Sequence, residues 1–145
     1  MEMNWYRTGG TGGIYLAHQL IMTGCAFATI AAMGYLLAIL HYDFIDDARM
    51  SLMRPLFCVF QILLAVMLFL ATFLGMTEPI RWLGMIGHFR GSGVFVMYLG
   101  AITVLHLDNM VGLVVGLACV GVGFFFVLYG QFWRERSSVY YKPLV

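Results

Sequence analysis

Hydrophobic residues occur along this chain in long runs that are separated by short polar stretches. The four runs cover residues 14–40, 55–74, 91–107 and 110–132. Each approaches the roughly 20 residues that a helix needs to cross the hydrocarbon core of a bilayer. The runs are too long for core strands and too numerous for a single anchor. The pattern therefore predicts an all-α integral membrane protein, a four-helix bundle that forms one membrane domain over residues 1–145.

The flanking residues refine the expected bounds of these helices. As a helix the first run would be about 40 Å long, against a hydrocarbon core of about 30 Å, so we expect it to tilt or to protrude. Pro55 is well placed in the first turn of the second helix, and Thr77-Glu78-Pro79 has the composition of a cap and first turn. The amphipathic stretch 80–89 either lies at the membrane interface or lengthens the third span.

Small residues recur at helical spacing in two of the runs. Gly112 and Gly116 form a GxxxG step, and Gly123 extends the same face by seven residues. Gly24 and Ala28 make a similar step in the first run. Helices in a bilayer associate through close backbone packing, which small residues permit, so we expect these five residues to contact another helix and not lipid. On this interpretation Gly116→Leu separates the chain from a partner without preventing insertion. The alternative is that glycine is simply common in membrane helices.

The distribution of basic residues predicts the orientation. With four spans and a hinge at Asp108-Asn109, both termini and the second loop share one side of the membrane. That side has six of the eight Lys and Arg residues, namely Arg7, Arg81, Arg90, Arg134, Arg136 and Lys142, whereas the other side has Arg49 and Arg54. The positive-inside rule then places both termini on the cytoplasmic side, or on the matrix or stromal side of an organelle. Arg81, Arg90, Arg134 and Arg136 are expected to contact phospholipid headgroups or the acidic surface of a partner.

Composition supports the membrane class and argues against several functions. The chain is 62% hydrophobic and 10% charged, whereas soluble domains contain roughly 25% charged residues. A net charge of +1 argues against a nucleic-acid partner, which requires a basic face. Cys25, Cys58 and Cys119 all lie in apolar runs without a CxxC pair, so we expect packing residues and not a disulfide framework. The expected partners are other membrane protein subunits and phospholipids.

Candidate chemistry within the runs is sparse. Gln61 is the one strongly polar side chain of the second run; we expect it to bond a neighbouring helix, with a place on a transport pathway as the alternative. The four histidines fall at two levels of the predicted bundle, as the axial ligands of two haems would. His18 and His41 would be about 34 Å apart along a helix, so at least one of them would lie at or beyond the edge of the hydrocarbon core. No HExxH motif or nucleophile beside a base is visible. We therefore expect no enzyme activity, no catalytic, cofactor or metal site, and no cofactor.

One stretch has a family resemblance. From Phe89 to Gly100 the chain reads Phe-Arg-Gly-Ser-Gly-Val-Phe-Val-Met-Tyr-Leu-Gly, a basic-glycine step followed by an aromatic-rich apolar run and a glycine. Together with the glycine-rich last run, it resembles the small four-span COPI-associated, or Tvp15-like, membrane proteins of Golgi vesicles. In that family the arginine tends to lie between two glycines, whereas here Phe89 precedes Arg90, and the long acidic tail of some members is replaced by residues 134–145. The resemblance implies a Golgi or endosomal protein of vesicle traffic without catalytic residues.

Three functions are compatible with these features. The first is a non-catalytic structural or accessory subunit of a larger organellar membrane complex of the respiratory, photosynthetic or ATP synthase type. The short loops, small-residue faces and lack of evident chemistry favour this function. The alternatives are the vesicle-trafficking protein that the resemblance implies and a small transporter component. The corresponding locations are the mitochondrial inner membrane and the Golgi.

Overall fold

The structure, a computed structural model, is described for residues 12–39, 48–106 and 110–132. None of these residues is in a β-strand. The helices are α1 (Gly12–Ile39), α2 (Ala48–Phe73), α3 (Thr77–Trp82), α4 (Phe89–His106) and α5 (Met110–Phe132), with a 3₁₀ turn at Gly84–Gly87 between α3 and α4.

Three of these helices are long and apolar enough to cross a membrane. The qualifying segments are Gly13–Ile39 in α1, Leu52–Phe73 in α2 and Met110–Phe132 in α5, and the apolar part of α4, Phe89–Leu105, is shorter. Large apolar side chains are exposed on their outer faces, for example Phe27 at 65%, as expected for a surface that meets acyl chains. The prediction of an all-helical membrane protein is confirmed at this level.

The four long helices pack with α1 and α4 in the inner positions. α1 contacts α2, α4 and α5, while α4 contacts α1, α2, α5 and the 3₁₀ turn. The main cluster of buried apolar side chains lies between them and includes Met22 from α1, Leu68 from α2, Val96 from α4 and Phe126 from α5. The shortest of the four, α4, therefore contacts all three of the others, as α1 does.

α2 differs from the prediction at its start and is followed by a glycine in the left-handed conformation. It begins at Ala48, so Pro55 lies inside the helix, and the prediction that Pro55 opens it is wrong. Proline removes one backbone donor there, but its neighbours Leu52, Met53, Arg54 and Leu56 are good helix formers. Beyond α2, Gly75 has φ of 63°, which glycine adopts at little cost, and the N–H groups of Leu74 and Met76 both donate to the carbonyl of Leu70.

The stretch 80–89 does not lengthen α4 as a continuous helix. α3 ends at Trp82 and the 3₁₀ turn separates it from α4. The predicted cap at Thr77 is also wrong, because Met76 precedes the helix without any side-chain cap. Ile86 of the turn is fully buried in the main cluster, whereas Trp82 is 77% exposed. The segment therefore packs against the ends of α2 and α4 and presents its tryptophan outward.

Candidate functional site

α4 and α5 pack at backbone distance through four glycines. A Cβ atom on Gly93 would lie 2.7 Å from the carbonyl oxygen of Gly123, and one on Gly100 would lie 2.6 Å from that of Gly116. In the reverse direction the distances are 2.5 Å from Gly123 to Gly93 O and 2.8 Å from Gly116 to Gly100 O. No side chain fits at these positions unless a backbone moves. We call these four residues the glycine seam.

The glycine seam fixes an antiparallel register between α4 and α5. Both glycine pairs are centred on residue 108, and successive glycines are seven residues apart on each helix. A seven-residue repeat keeps the same face of a helix against its neighbour over two turns. The predicted hinge at Asp108-Asn109 lies outside the described residues, and α4 ends at His106 just before it while α5 begins at Met110 just after it.

The seam changes the interpretation of the predicted packing residues in α5. Gly116 and Gly123 meet a helix of the same chain, and Gly112 is buried as well. Gly116→Leu would therefore disturb the α4–α5 contact itself, and a loss of co-purification would not report on a partner. Gly93 and Gly100, which complete the seam, are not among the packing residues predicted from the sequence. A row of glycines has the same spacing whichever helix packs against it, so the spacing on α5 does not identify the opposing residues.

Each packed pair among the four long helices also has a side-chain polar contact in the described chain. Buried polar groups are costly in an apolar medium unless they are hydrogen-bonded, so the buried contacts among them select one arrangement of the helices. The contacts are His18 to Ser92 (α1–α4), Gln19 to the Thr72 carbonyl (α1–α2), Gln61 to Thr103 (α2–α4), Thr29 to Cys119 (α1–α5) and Arg90 to the Gly130 carbonyl (α4–α5).

These contacts also give the relative directions of the helices. His18 near the start of α1 meets Ser92 near the start of α4, so these two helices run in the same direction. Gln19 Nε2 donates to the carbonyl of Thr72, near the end of α2, at 2.6 Å, so α2 runs in the opposite direction to α1. Since α5 is antiparallel to α4, the four helices alternate in direction along the chain.

The His18–Ser92 pair is the arrangement closest to a catalytic one. His18 Nε2 lies 3.1 Å from Ser92 Oγ, and the Ser92 hydroxyl donates to the carbonyl of Phe89 at 3.2 Å. The His18 ring also packs edge-on against Phe89 and Phe126, with centroids 4.5 Å apart in each case. A serine beside a histidine can serve as nucleophile and base, but the two residues are 74 positions apart, so the sequence alone does not reveal the pair. Both side chains are fully buried, so we assign them to helix packing.

Gln61 bonds a neighbouring helix, as expected. Its Nε2 donates to the carbonyl of Leu99 at 2.9 Å and to Thr103 Oγ1 at 2.8 Å, and the side chain is 1% exposed. The Thr103 hydroxyl in turn donates to the Leu99 carbonyl. This network ties the middle of α2 to the second half of α4.

The outer face of α1 presents small residues at the same seven-residue spacing as the glycine seam. These residues are Ala17, Gly24, Ala31 and Ala38, which we call the α1 stripe. All four are exposed, and a Cβ atom on Gly24 would meet nothing within 4 Å. Ala28, the other predicted packing residue of this helix, is partly buried. Gly24 therefore faces away from the other described helices.

The predicted headgroup or partner contacts are only partly described. Arg81 is exposed on α3. Arg90 is exposed too, but its Nε donates to the carbonyl of Gly130 at 2.8 Å, where the C-terminal end of α5 favours a cation. Arg134 and Arg136 lie outside the described residues.

Neither the described metal-binding residue types nor similarity to known proteins indicates a function. Among residues 12–39, 48–106 and 110–132, no three His, Cys, Asp or Glu side chains form a group that could hold a metal ion. No protein-family model matches the sequence, and comparisons with curated proteins and with solved structures return no match.

Proposed function

We propose that this chain is a non-catalytic accessory subunit of a larger membrane protein complex and that it docks through the α1 stripe. The observation that carries this proposal is the open row of small residues on α1, at the spacing that brings α4 and α5 to backbone distance. Small residues gain little from acyl chains but allow a second helix to approach closely. Such a face is therefore suited to packing against a helix of another subunit.

The polar side chains of the bundle support a structural role over transport. Gln19, Gln61 and Thr72 are all buried and use their side chains to bond helix backbones of the same chain. Transport pathways in membranes usually contain ionisable groups that face a water-filled cavity. Here Gln19 and Gln61 instead join one helix to another, and Thr72 bonds the backbone of its own helix.

The proposal includes four membrane spans with both termini on the basic side. α4 is short, but its 18 residues extend about 27 Å at 1.5 Å per residue, close to the thickness of the hydrocarbon core. It alternates in direction with its neighbours and contacts all of the other three long helices. A helix in that position crosses with them. The basic side would face the cytosol, or the matrix in the mitochondrial inner membrane.

A matched pair of variants tests the docking surface. Gly24 and Gly121 are both exposed helical glycines with open space at the Cβ position, but only Gly24 belongs to the α1 stripe. After gentle detergent extraction and native-gel separation, wild type and Gly121→Leu should migrate with a complex of several subunits that mass spectrometry identifies. Gly24→Leu should migrate apart from that complex while its own amount in the membrane is unchanged.

The same gel distinguishes the alternatives. Migration of wild type alone would contradict the accessory-subunit proposal. Association with vesicle-coat or Golgi proteins would instead support the trafficking function and a Golgi location. Equal loss of the complex in Gly24→Leu and Gly121→Leu would show that docking does not use the α1 stripe.

A further inference from the structure

We propose that Cys25 and Cys119 form a reversible disulfide that joins α1 to α5 when a hydroperoxide dissolved in the membrane oxidises them. This modification is separate from the docking function, because it involves the inner contact between two helices of one chain.

The geometry brings the two cysteines together. Cys119 Sγ lies 4.0 Å from the carbonyl oxygen of Cys25 and 3.8 Å from Thr29 Oγ1, and the Thr29 hydroxyl donates to the same Cys25 carbonyl at 2.8 Å. The Cys119 thiol thus reaches the backbone of Cys25, and the proposed bond requires the two side chains to rotate until their sulfur atoms are at bonding distance. Cys58 belongs to a separate cluster with Ala32 and Met33.

The position of the pair identifies the class of oxidant. Cys25 is the fourteenth of the 28 residues of α1, and Cys119 is the tenth of the 23 residues of α5, so each lies about 14–20 Å from the nearest helix end. Cys25 is partly exposed, whereas Cys119 is buried. An oxidant must therefore approach Cys25 from the acyl-chain region, and a hydroperoxide carried on a phospholipid acyl chain is a reagent of that kind.

The reaction balances without any further component. The Cys25 sulfur attacks the terminal peroxide oxygen, the O–O bond breaks, and the thiol proton passes to the alkoxide, which gives a sulfenic acid and a lipid alcohol. The Cys119 sulfur then attacks the Cys25 sulfur, the S–O bond breaks, and the departing hydroxide takes the Cys119 proton to leave as water. Two thiols are oxidised to one disulfide, and one hydroperoxide is reduced to an alcohol.

Counting thiols in vesicles tests the proposal. The Cys58→Ser variant of the full chain is reconstituted in phosphatidylcholine vesicles, treated with phosphatidylcholine hydroperoxide, denatured and labelled with a maleimide polymer. The number of labelled thiols per chain should fall from two to none without crosslinks between separate chains, and a dithiol reductant should restore both thiols. In the same Cys58→Ser background, Cys25→Ser should keep its remaining thiol, because Cys119 is buried and has no partner cysteine. Cys119→Ser should form at most a sulfenic acid at Cys25, which the reductant converts back to the thiol.

The outcomes that overturn the proposal are specific. Retention of both thiols in the two-cysteine variant would refute the disulfide, and so would crosslinks between separate chains. Equally fast loss of the thiol in Cys25→Ser would show that the cysteines are oxidised independently. Hydrogen peroxide tests the route of entry. For each peroxide, the rate of thiol loss is divided by the rate at which the same peroxide oxidises glutathione in water. This ratio should be at least about tenfold larger for the lipid hydroperoxide than for hydrogen peroxide, and equal ratios would contradict entry from the acyl-chain region.

Discussion

Gly116 shows most clearly what a single residue does in this structure. Its hydrogen atom faces the backbone of α4, where a Cβ would lie 2.8 Å from the carbonyl oxygen of Gly100 and 3.0 Å from the amide nitrogen of Val104. These neighbours are backbone atoms of a packed helix, which cannot rotate away as the end of a side chain can.

Gly116→Ala should therefore destabilise the folded chain. We expect the free energy of unfolding in mixed micelles to fall by about 1–3 kcal/mol, the usual cost of an overpacked site. The measurement is an SDS titration followed by circular dichroism. Gly121→Ala is the matched control, because it lies on the same helix in open space; it should leave the free energy unchanged or raise it by up to about 1 kcal/mol. Equal effects of the two substitutions would contradict the glycine seam.

At this scale the sequence predicts residue type better than residue partners. Gly116 and Gly123 can be identified as packing residues from their spacing alone. The covering helix cannot, because the seven-residue repeat of small residues is the same on α5, where it meets α4, and on α1, where it is exposed. Ser92 is similar: a serine in an apolar run is unremarkable until the fold places His18 beside it.

At the scale of the helices, the Gln61 network is the contact that should bind α2 to α4. Gln61→Leu and Thr103→Val should each destabilise the protein, and a double-mutant cycle should give a coupling energy of about 0.6–1.7 kcal/mol, from the average to the maximum measured for such bonds in a membrane protein. The cycle of Gln61→Leu with Thr72→Val is the control, because the Thr72 hydroxyl bonds its own helix at Leu68. A coupling energy near zero for Gln61 and Thr103 would mean that the bond does not hold the two helices together.

Hydrophobic runs predict the long helices well but their ends poorly. The sequence misplaces the start of α2 because proline is common in a first turn and also tolerable deeper in a helix when tertiary packing stabilises it. It does not decide the structure of the segment between α2 and α4, because the amphipathic pattern there suits one helix as well as a short helix followed by a 3₁₀ turn. Burial of Ile86 in the main cluster is a tertiary contact, which hydropathy alone does not reveal.

For the whole molecule, the proposed topology makes a direct prediction. In a variant with Cys25, Cys58 and Cys119 replaced by alanine, single cysteines are introduced as Asp43→Cys in the first loop and Ser138→Cys in the tail. A membrane-impermeant maleimide added to sealed, oriented vesicles should label one and not the other, because four spans place the first loop and the tail on opposite sides. Labelling of both from the same side would exclude the four-span arrangement.

The proposed role as an accessory subunit depends on α1 having a protein neighbour. Phe27 and Phe124 are both exposed and each follows an open glycine, Gly24 or Gly121, by three residues. Replacing either phenylalanine with p-benzoylphenylalanine keeps an aromatic side chain and allows photo-crosslinking in native membranes. The docking proposal predicts a protein adduct of fixed mass from position 27 and lipid adducts alone from position 124. Lipid adducts alone from both positions would contradict it.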